Sequence, residues 1–148
     1  VWYPQLWIRT CTSIYFILIW YLDENRFNAD MKITDRIYEL KKVLEERILV
    51  VDGAMGTSIQ DMNLSADDFG GAQYEGCNEY LNLTKPDAIR LIHRQYMEAG
   101  ADILETNSFG STPLVLAEYE LGEKAYEISK IAAQLAREVA GEYKSSKK

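Results

Sequence analysis

The stretch Ile48-Leu49-Val50-Val51-Asp52-Gly53-Ala54-Met55-Gly56-Thr57 constrains this chain more than any other. Four apolar residues, three of them β-branched, run into an acid and then a Gly-x-x-Gly-Thr turn. The run is too short for a helix and suits a strand buried on both faces. Gly53 and Gly56 permit a tight turn whose N–H groups approach a ligand closely. The same arrangement returns at Asp102-Ile103-Leu104-Glu105-Thr106-Asn107. Between the two, Thr84-Lys85-Pro86-Asp87 opens a helix, with Thr84 as the cap and Asp87 in a capping-box position. Ile89, Ile92 and Tyr96 give that helix an apolar stripe, and Gly100 ends it. Strand, helix, strand is a βαβ unit, with parallel strands and a right-handed crossover. Ligands of such folds sit at the C-terminal strand ends, where Asp52 and Glu105 fall.

The flanking segments extend the pattern. Ile37, Leu40 and Leu44 predict an amphipathic helix over 35–46, capped by Thr34. Residues 58–62 form a helical turn. The glycine-rich connection from there to Thr84 is far longer than the 2–6 residues usual in α/β units, and reads as a loop folding over the strand end. A short helix follows at 113–120. A longer one carries Ile128, Ile131, Ala132, Leu135 and Val139 on one face. Two strands neither close a barrel nor bury a parallel sheet. Residues 31–148 therefore read as the front of a larger α/β domain, cut before a third strand, with an open edge that makes folding marginal.

Residues 1–30 differ in character. They hold all three tryptophans, Trp2, Trp7 and Trp20, and an apolar run over 14–22. A spanning helix needs roughly 18 apolar residues, and the run lacks the flanks of a secretory signal. The first methionine is Met31. The segment reads as extraneous to the domain, with a membrane-surface anchor or an extra strand as alternatives. The chain's net charge of −7 and the lack of a basic cluster argue against a nucleic-acid partner, and no membrane partner is expected. Cys11 and Cys77 are its only cysteines, which fits a reducing, cytoplasmic setting without a disulfide framework. His93 is the single histidine, so a site built on several histidines is excluded.

Neighbouring acids at strand ends can bind an ammonium group, bind a metal, or act as acid and base. Backbone donors of the 53–57 turn suit a carboxylate or phosphate. Together they suit a zwitterion such as an α-amino acid. The plainer reading has Asp52 capping the turn and Glu105 in an internal ion pair. Neither Gly-Lys-Ser/Thr nor Gly-x-Gly-x-x-Gly occurs, which weakens a nucleotide reading. His93 reads as a packed or surface histidine rather than a ligand, and Cys77 as a loop cysteine.

Several ordered motifs carry a resemblance. Asp52-Gly-Ala-Met-Gly-Thr57, Glu75-Gly-Cys-Asn-Glu-Tyr-Leu-Asn-Leu-Thr84, Pro86-Asp87, Ile92-His-Arg, Glu98-Ala-Gly-Ala-Asp102 and Glu105-Thr-Asn-Ser-Phe-Gly-Ser-Thr112 resemble the homocysteine-binding domain of the homocysteine S-methyltransferases. Within that family the likeness is to the N-terminal module of the cobalamin-dependent methionine synthase branch. The resemblance implies a (β/α)8 TIM barrel longer than this chain, of which about two parallel βα units are present. It implies that Asp52, Gly53, Ala54 and Thr57, with Glu105, Thr106 and Asn107, line a homocysteine pocket. Amides near Gly53 and Ala54 would take the carboxylate, and one of the two acids the ammonium. It further implies zinc, with ligands expected beyond residue 148, and cobalamin bound by a separate module. Methylcobalamin with methyltetrahydrofolate would be the methyl source; betaine or S-methylmethionine serves in other branches. A non-catalytic amino-acid-binding module or partner domain is the alternative from another class. Purified as these 148 residues, the chain is expected to form no methionine from homocysteine and a methyl donor, and chromatographic detection of methionine would refute this.

Overall fold

The computed structural model describes residues 33–144. The expectations for 1–30, including Cys11 and the apolar run, lie outside the described residues, as do 145–148. Among the described residues six α-helices follow one another: α1 (Ile33–Glu46), α2 (Met55–Asp61), α3 (Leu81–Thr84), α4 (Pro86–Ala99), α5 (Pro113–Leu116) and α6 (Ala125–Lys144). Short 3-10 turns at Ala72–Tyr74, Asn78–Tyr80, Ala117–Tyr119 and Gly122–Lys124 join them.

The parallel strands expected over 48–52 and 102–106 are not formed. Among the described residues there is no strand or sheet, only an isolated parallel bridge between Val51 and Ile103. The βα reading is therefore corrected, and the described chain is a helical assembly, not a portion of a (β/α)8 barrel. The backbone bonds give the reason. Asp52 N–H donates to Ile103 O at 2.9 Å, and Asp102 and Ile103 N–H both donate to Val50 O, at 2.8 and 3.2 Å. The next donors turn to side chains: Val50 N–H to Asp102 Oδ2 at 3.0 Å and Glu105 N–H to Asp52 Oδ1 at 2.7 Å. Pairing that ends on carboxylates cannot propagate as a ladder. Nor is the first segment buried on both faces, since Ile48 is 87% and Val50 55% exposed.

The core lies instead along α6. Its long apolar face joins three clusters. Leu135 meets Ile59 of α2, Phe69, Leu81 of α3, and Ile89 and Ile92 of α4. Ala125 and Ile128 meet Cys77, Leu116 and Leu121. Val139 and Ala140 meet Met97 and Leu104. Helix α4 lies against α6, and two ion-pair rungs one helical turn apart fasten them: Arg90 to Glu138 at 2.9 Å and Arg94 to Glu142 at 2.7 Å. The hydrogen bonds to Glu138 and Glu142 raise the two guanidinium pKa values, and Arg94 in turn lowers that of Glu142. Gly100 closes α4 at φ 99°, and the Ala101 N–H returns to Tyr96 O at 3.0 Å. No helix among the described residues is long and apolar enough to cross a membrane.

Three local expectations change. Helix α1 opens at Ile33, one residue before Thr34, and among its described side chains the buried apolar one is Val43, while Ile37 and Leu44 are exposed. Thr84 ends α3 and its hydroxyl donates to Tyr80 O at 3.3 Å; the cap of α4 is Lys85. The 65–84 connection is not a loop over a strand end. It places Phe69, Cys77 and Leu81 in the core through successive turns.

That connection is stapled by Asp68, which accepts the Ser65 N–H and hydroxyl at 2.8 and 2.9 Å and pairs with Lys85. The Lys85 hydrogen bond, then those from Ser65, lower its pKa to about 2. A carboxylate whose folded pKa is depressed stabilises the fold above its unfolded pKa of about 3.9. That contribution is lost as pH falls through about 2. A carboxyl NMR titration is expected to give Asp68 a midpoint of about 2, which moves up in Lys85→Met. A wild-type midpoint in the ordinary carboxylate range would contradict the staple.

Candidate functional site

The bridge brings two polar turns together. After Asp52 and Gly53 the chain enters α2 through Ala54, which is left-handed at φ 50° and ψ 34°. The sequence places the conformational demand on Gly53 and Gly56; the structure places it on Ala54. Ala54 O accepts the Ser58 N–H at 2.9 Å and the Thr57 hydroxyl at 3.0 Å, which fixes the turn. Among the described residues the N–H groups of Gly53 and Ala54 donate no backbone hydrogen bond.

Opposite this turn runs 105–109. The cleft between them has a volume of about 110 Å³. Asp52, Gly53, Ala54 and Met55 form one wall, and Glu105, Thr106, Asn107, Ser108 and Phe109 the other. Six of the seven residues named from the sequence thus meet in one cleft. Thr57 does not line it, because its hydroxyl is turned back onto Ala54.

The two acids are placed differently. The Asp52 side chain is only 3% exposed, with Oδ1 taken by the Glu105 N–H and Oδ2 facing His93. Glu105 is exposed and lines the cleft. Asp52 is thus the clamp between the walls, and Glu105 is the carboxylate open to a ligand. Asn107 is also committed. Its side-chain amide donates to Asn78 O at 2.7 Å and Asn82 Oδ1 at 3.3 Å, while Asn82 donates to Asn107 O at 2.7 Å. Glu79 accepts the Gly110 N–H at 2.7 Å. A Cβ at Gly110 would lie 2.7 Å from Glu79 Oε1, so glycine is what lets that carboxylate reach the backbone. The Thr106 and Ser108 hydroxyls share a hydrogen bond of 2.6 Å.

Sequence reasoning missed Glu79, Asn82 and the setting of His93. The His93 imidazole is fully buried, its Nδ1 lies 3.8 Å from Asp52 Oδ2, and neither ring nitrogen has a hydrogen-bond partner. An unpaired buried polar group costs about 1–3 kcal/mol. The signal was present, because residue 93 falls at i+4 from Ile89, on the face that Ile89, Ile92 and Tyr96 define. Asn82 carried a weaker one, as an amide between Leu81 and Leu83. Cys77 is 1% exposed within the second apolar cluster, and burial there raises its thiol pKa, which makes it a poor nucleophile at neutral pH. Among the described residues no group of three or more His, Cys, Asp or Glu is placed to hold a metal ion.

The left-handed Ala54 offers a test of the turn. An L-residue there bears a cost of about 1–2 kcal/mol that glycine avoids. Ala54→Gly is expected to raise the unfolding free energy by about 1 kcal/mol, and Ala54→Val to lower it by at least as much. Urea denaturation measures both, and equal midpoints for all three proteins would remove the strain argument.

Comparison with known proteins agrees with the motifs around this cleft. The family model for homocysteine S-methyltransferase matches residues 49–148. The chain is 48% identical over 104 residues to the methionine synthase of Mycobacterium leprae (strain TN), covering 70% of this chain and 8% of that protein. It is 47% identical over 114 residues to the methionine synthase of Mycobacterium tuberculosis (strain ATCC 25618 / H37Rv), covering 77% of this chain and 9% of that protein. The chain thus spans less than a tenth of the length of either relative. With the matched region running from the first clamped segment through α6, the chain belongs to the homocysteine S-methyltransferase family.

Proposed function

We propose that this chain supplies a homocysteine-binding wall for methyl transfer to the homocysteine thiol, the reaction that yields methionine. The observation that carries the reading is the pairing of an exposed acid with unoccupied amides across one small cleft. The Glu105 carboxylate takes the substrate ammonium. The Gly53 and Ala54 N–H groups take its carboxylate. A cleft of about 110 Å³ is of a size for an amino acid. Identity to two methionine synthases supports this branch of the family over betaine- or S-methylmethionine-dependent members.

A free thiol has a pKa of about 8.5 and is mostly protonated at neutral pH. The zinc that the family resemblance implies would stabilise the thiolate, but the described residues do not fit a zinc site. Cys77 is enclosed by apolar side chains and His93 is buried against Asp52. The part these residues play is to bind and orient. Holding both ends of the amino-acid backbone fixes the direction of the thiol-bearing chain, which is the positional component of catalysis.

Isothermal titration of the full chain with L-homocysteine and with 4-sulfanylbutanoate, which lacks the amino group, tests the assignment. The wild type is expected to prefer homocysteine. Glu105→Gln is expected to weaken homocysteine binding by roughly 10- to 100-fold, the worth of one charge-assisted hydrogen bond of about 1.5–3 kcal/mol, and to abolish the preference. Unchanged affinity in Glu105→Gln would remove Glu105 from the ammonium site.

A further inference from the structure

We propose that His93 is a positioning residue of the amino-acid site. Its ring holds Asp52, Asp52 holds the Glu105 backbone, and Glu105 presents its carboxylate to the ligand's ammonium. The inference rests on the homocysteine reading above and assigns a role to a residue outside the cleft lining. Three observations converge on it. The imidazole is fully buried in α4 with both nitrogens unpartnered, whereas buried polar groups are almost always paired. Its Nδ1 faces the one Asp52 oxygen not taken by Glu105, at 3.8 Å. And the Asp52 side chain is itself buried, so its connection to a ligand runs through the Glu105 N–H at 2.7 Å.

A hydrogen bond needs a heavy-atom separation of about 2.7–3.2 Å, so the His93–Asp52 gap closes with a shift of less than about 1 Å. Such a shift draws Asp52, and with it the Glu105 backbone, towards α4. The bond requires the proton on Nδ1, because Asp52 offers only acceptors when ionised. Helix α4 is anchored to α6 by the Arg90 and Arg94 rungs on either side of His93, so the ring is the fixed end of the relay. A purely packing role would need neither nitrogen and would be served as well by leucine.

His93 is the only histidine in the chain, so the ring nitrogen signals of 15N-labelled protein need no assignment. Nδ1 is expected to carry the proton in the wild type, and Asp52→Asn to change the ring's tautomer. An unprotonated Nδ1, with ring signals indifferent to Asp52→Asn, would overturn the proposal. Binding gives a second arm. His93→Leu is expected to weaken L-homocysteine by about tenfold while changing 4-sulfanylbutanoate by about twofold or less, and His93→Asn, whose amide N–H stands where Nδ1 stood, to recover homocysteine binding to within about threefold of wild type. Equal losses for both ligands, or no recovery in His93→Asn, would overturn it. If His93→Leu does not fold, His93→Asn and the ring signals decide the question. If the wild type does not prefer homocysteine, the homocysteine reading fails, and the tautomer and its response to Asp52→Asn still decide the His93–Asp52–Glu105 link.

Discussion

Two aspartates hold the site together by each taking a backbone N–H from the opposite segment. Asp102, anchored by the two terminal guanidinium nitrogens of Arg47 at 2.7 and 2.8 Å, accepts Val50 N–H. Asp52 accepts Glu105 N–H. Hydrogen bonds to charged groups contribute about 1.5–3 kcal/mol each, more than neutral ones. They matter here because burial does little for the first segment, whose Ile48, Val50 and Val51 side chains are all exposed. The relative position of the two cleft walls therefore depends on carboxylates rather than on apolar packing. The same bonds stop the backbone pairing from growing beyond a single bridge.

The second wall has its own support. Asn82 and Asn107 exchange bonds, Asn78 contributes its carbonyl, and Glu79 takes the Gly110 N–H. All of these reach across from 78–82, a stretch that α6 and α4 hold in the core through Leu81. The long connection is thus a buttress. Its fixed turns convert the packing of one helix into the position of a polar loop at the cleft. A loop held by buried amides is pre-organised, so less conformational entropy is lost when a ligand orders the site.

Within the site the chemistry divides by exposure. Glu105 is exposed in the cleft wall, whereas the Asp52 and Asn107 side chains, although their residues line the same cleft, are buried and committed to bonds that hold the walls. Two acids that look equivalent in a motif are not equivalent once folded. The one that accepts a backbone N–H is buried by doing so, and the one that donates its own N–H keeps its carboxylate free.

The sequence by itself determined what depends on residue types within a short window. The apolar faces of α4 and α6 follow from their periodicity, the end of α4 from Gly100, and the meeting of Asp52-Gly-Ala with Glu105-Thr-Asn from their matching settings. The motifs also sufficed for the family. What the tertiary structure decided depends on pairings far apart in the chain. An apolar, valine-rich run such as Leu49-Val50-Val51 states a preference for extended backbone, but a strand exists only where a neighbour continues the ladder, and here carboxylates take those donors. The burial of His93 against Asp52 and the amide exchange of Asn82 with Asn107 are likewise contacts between groups whose partners no local pattern names. Periodicity reports which face of an element is apolar; only the folded chain fixes which polar atom that face carries to which other.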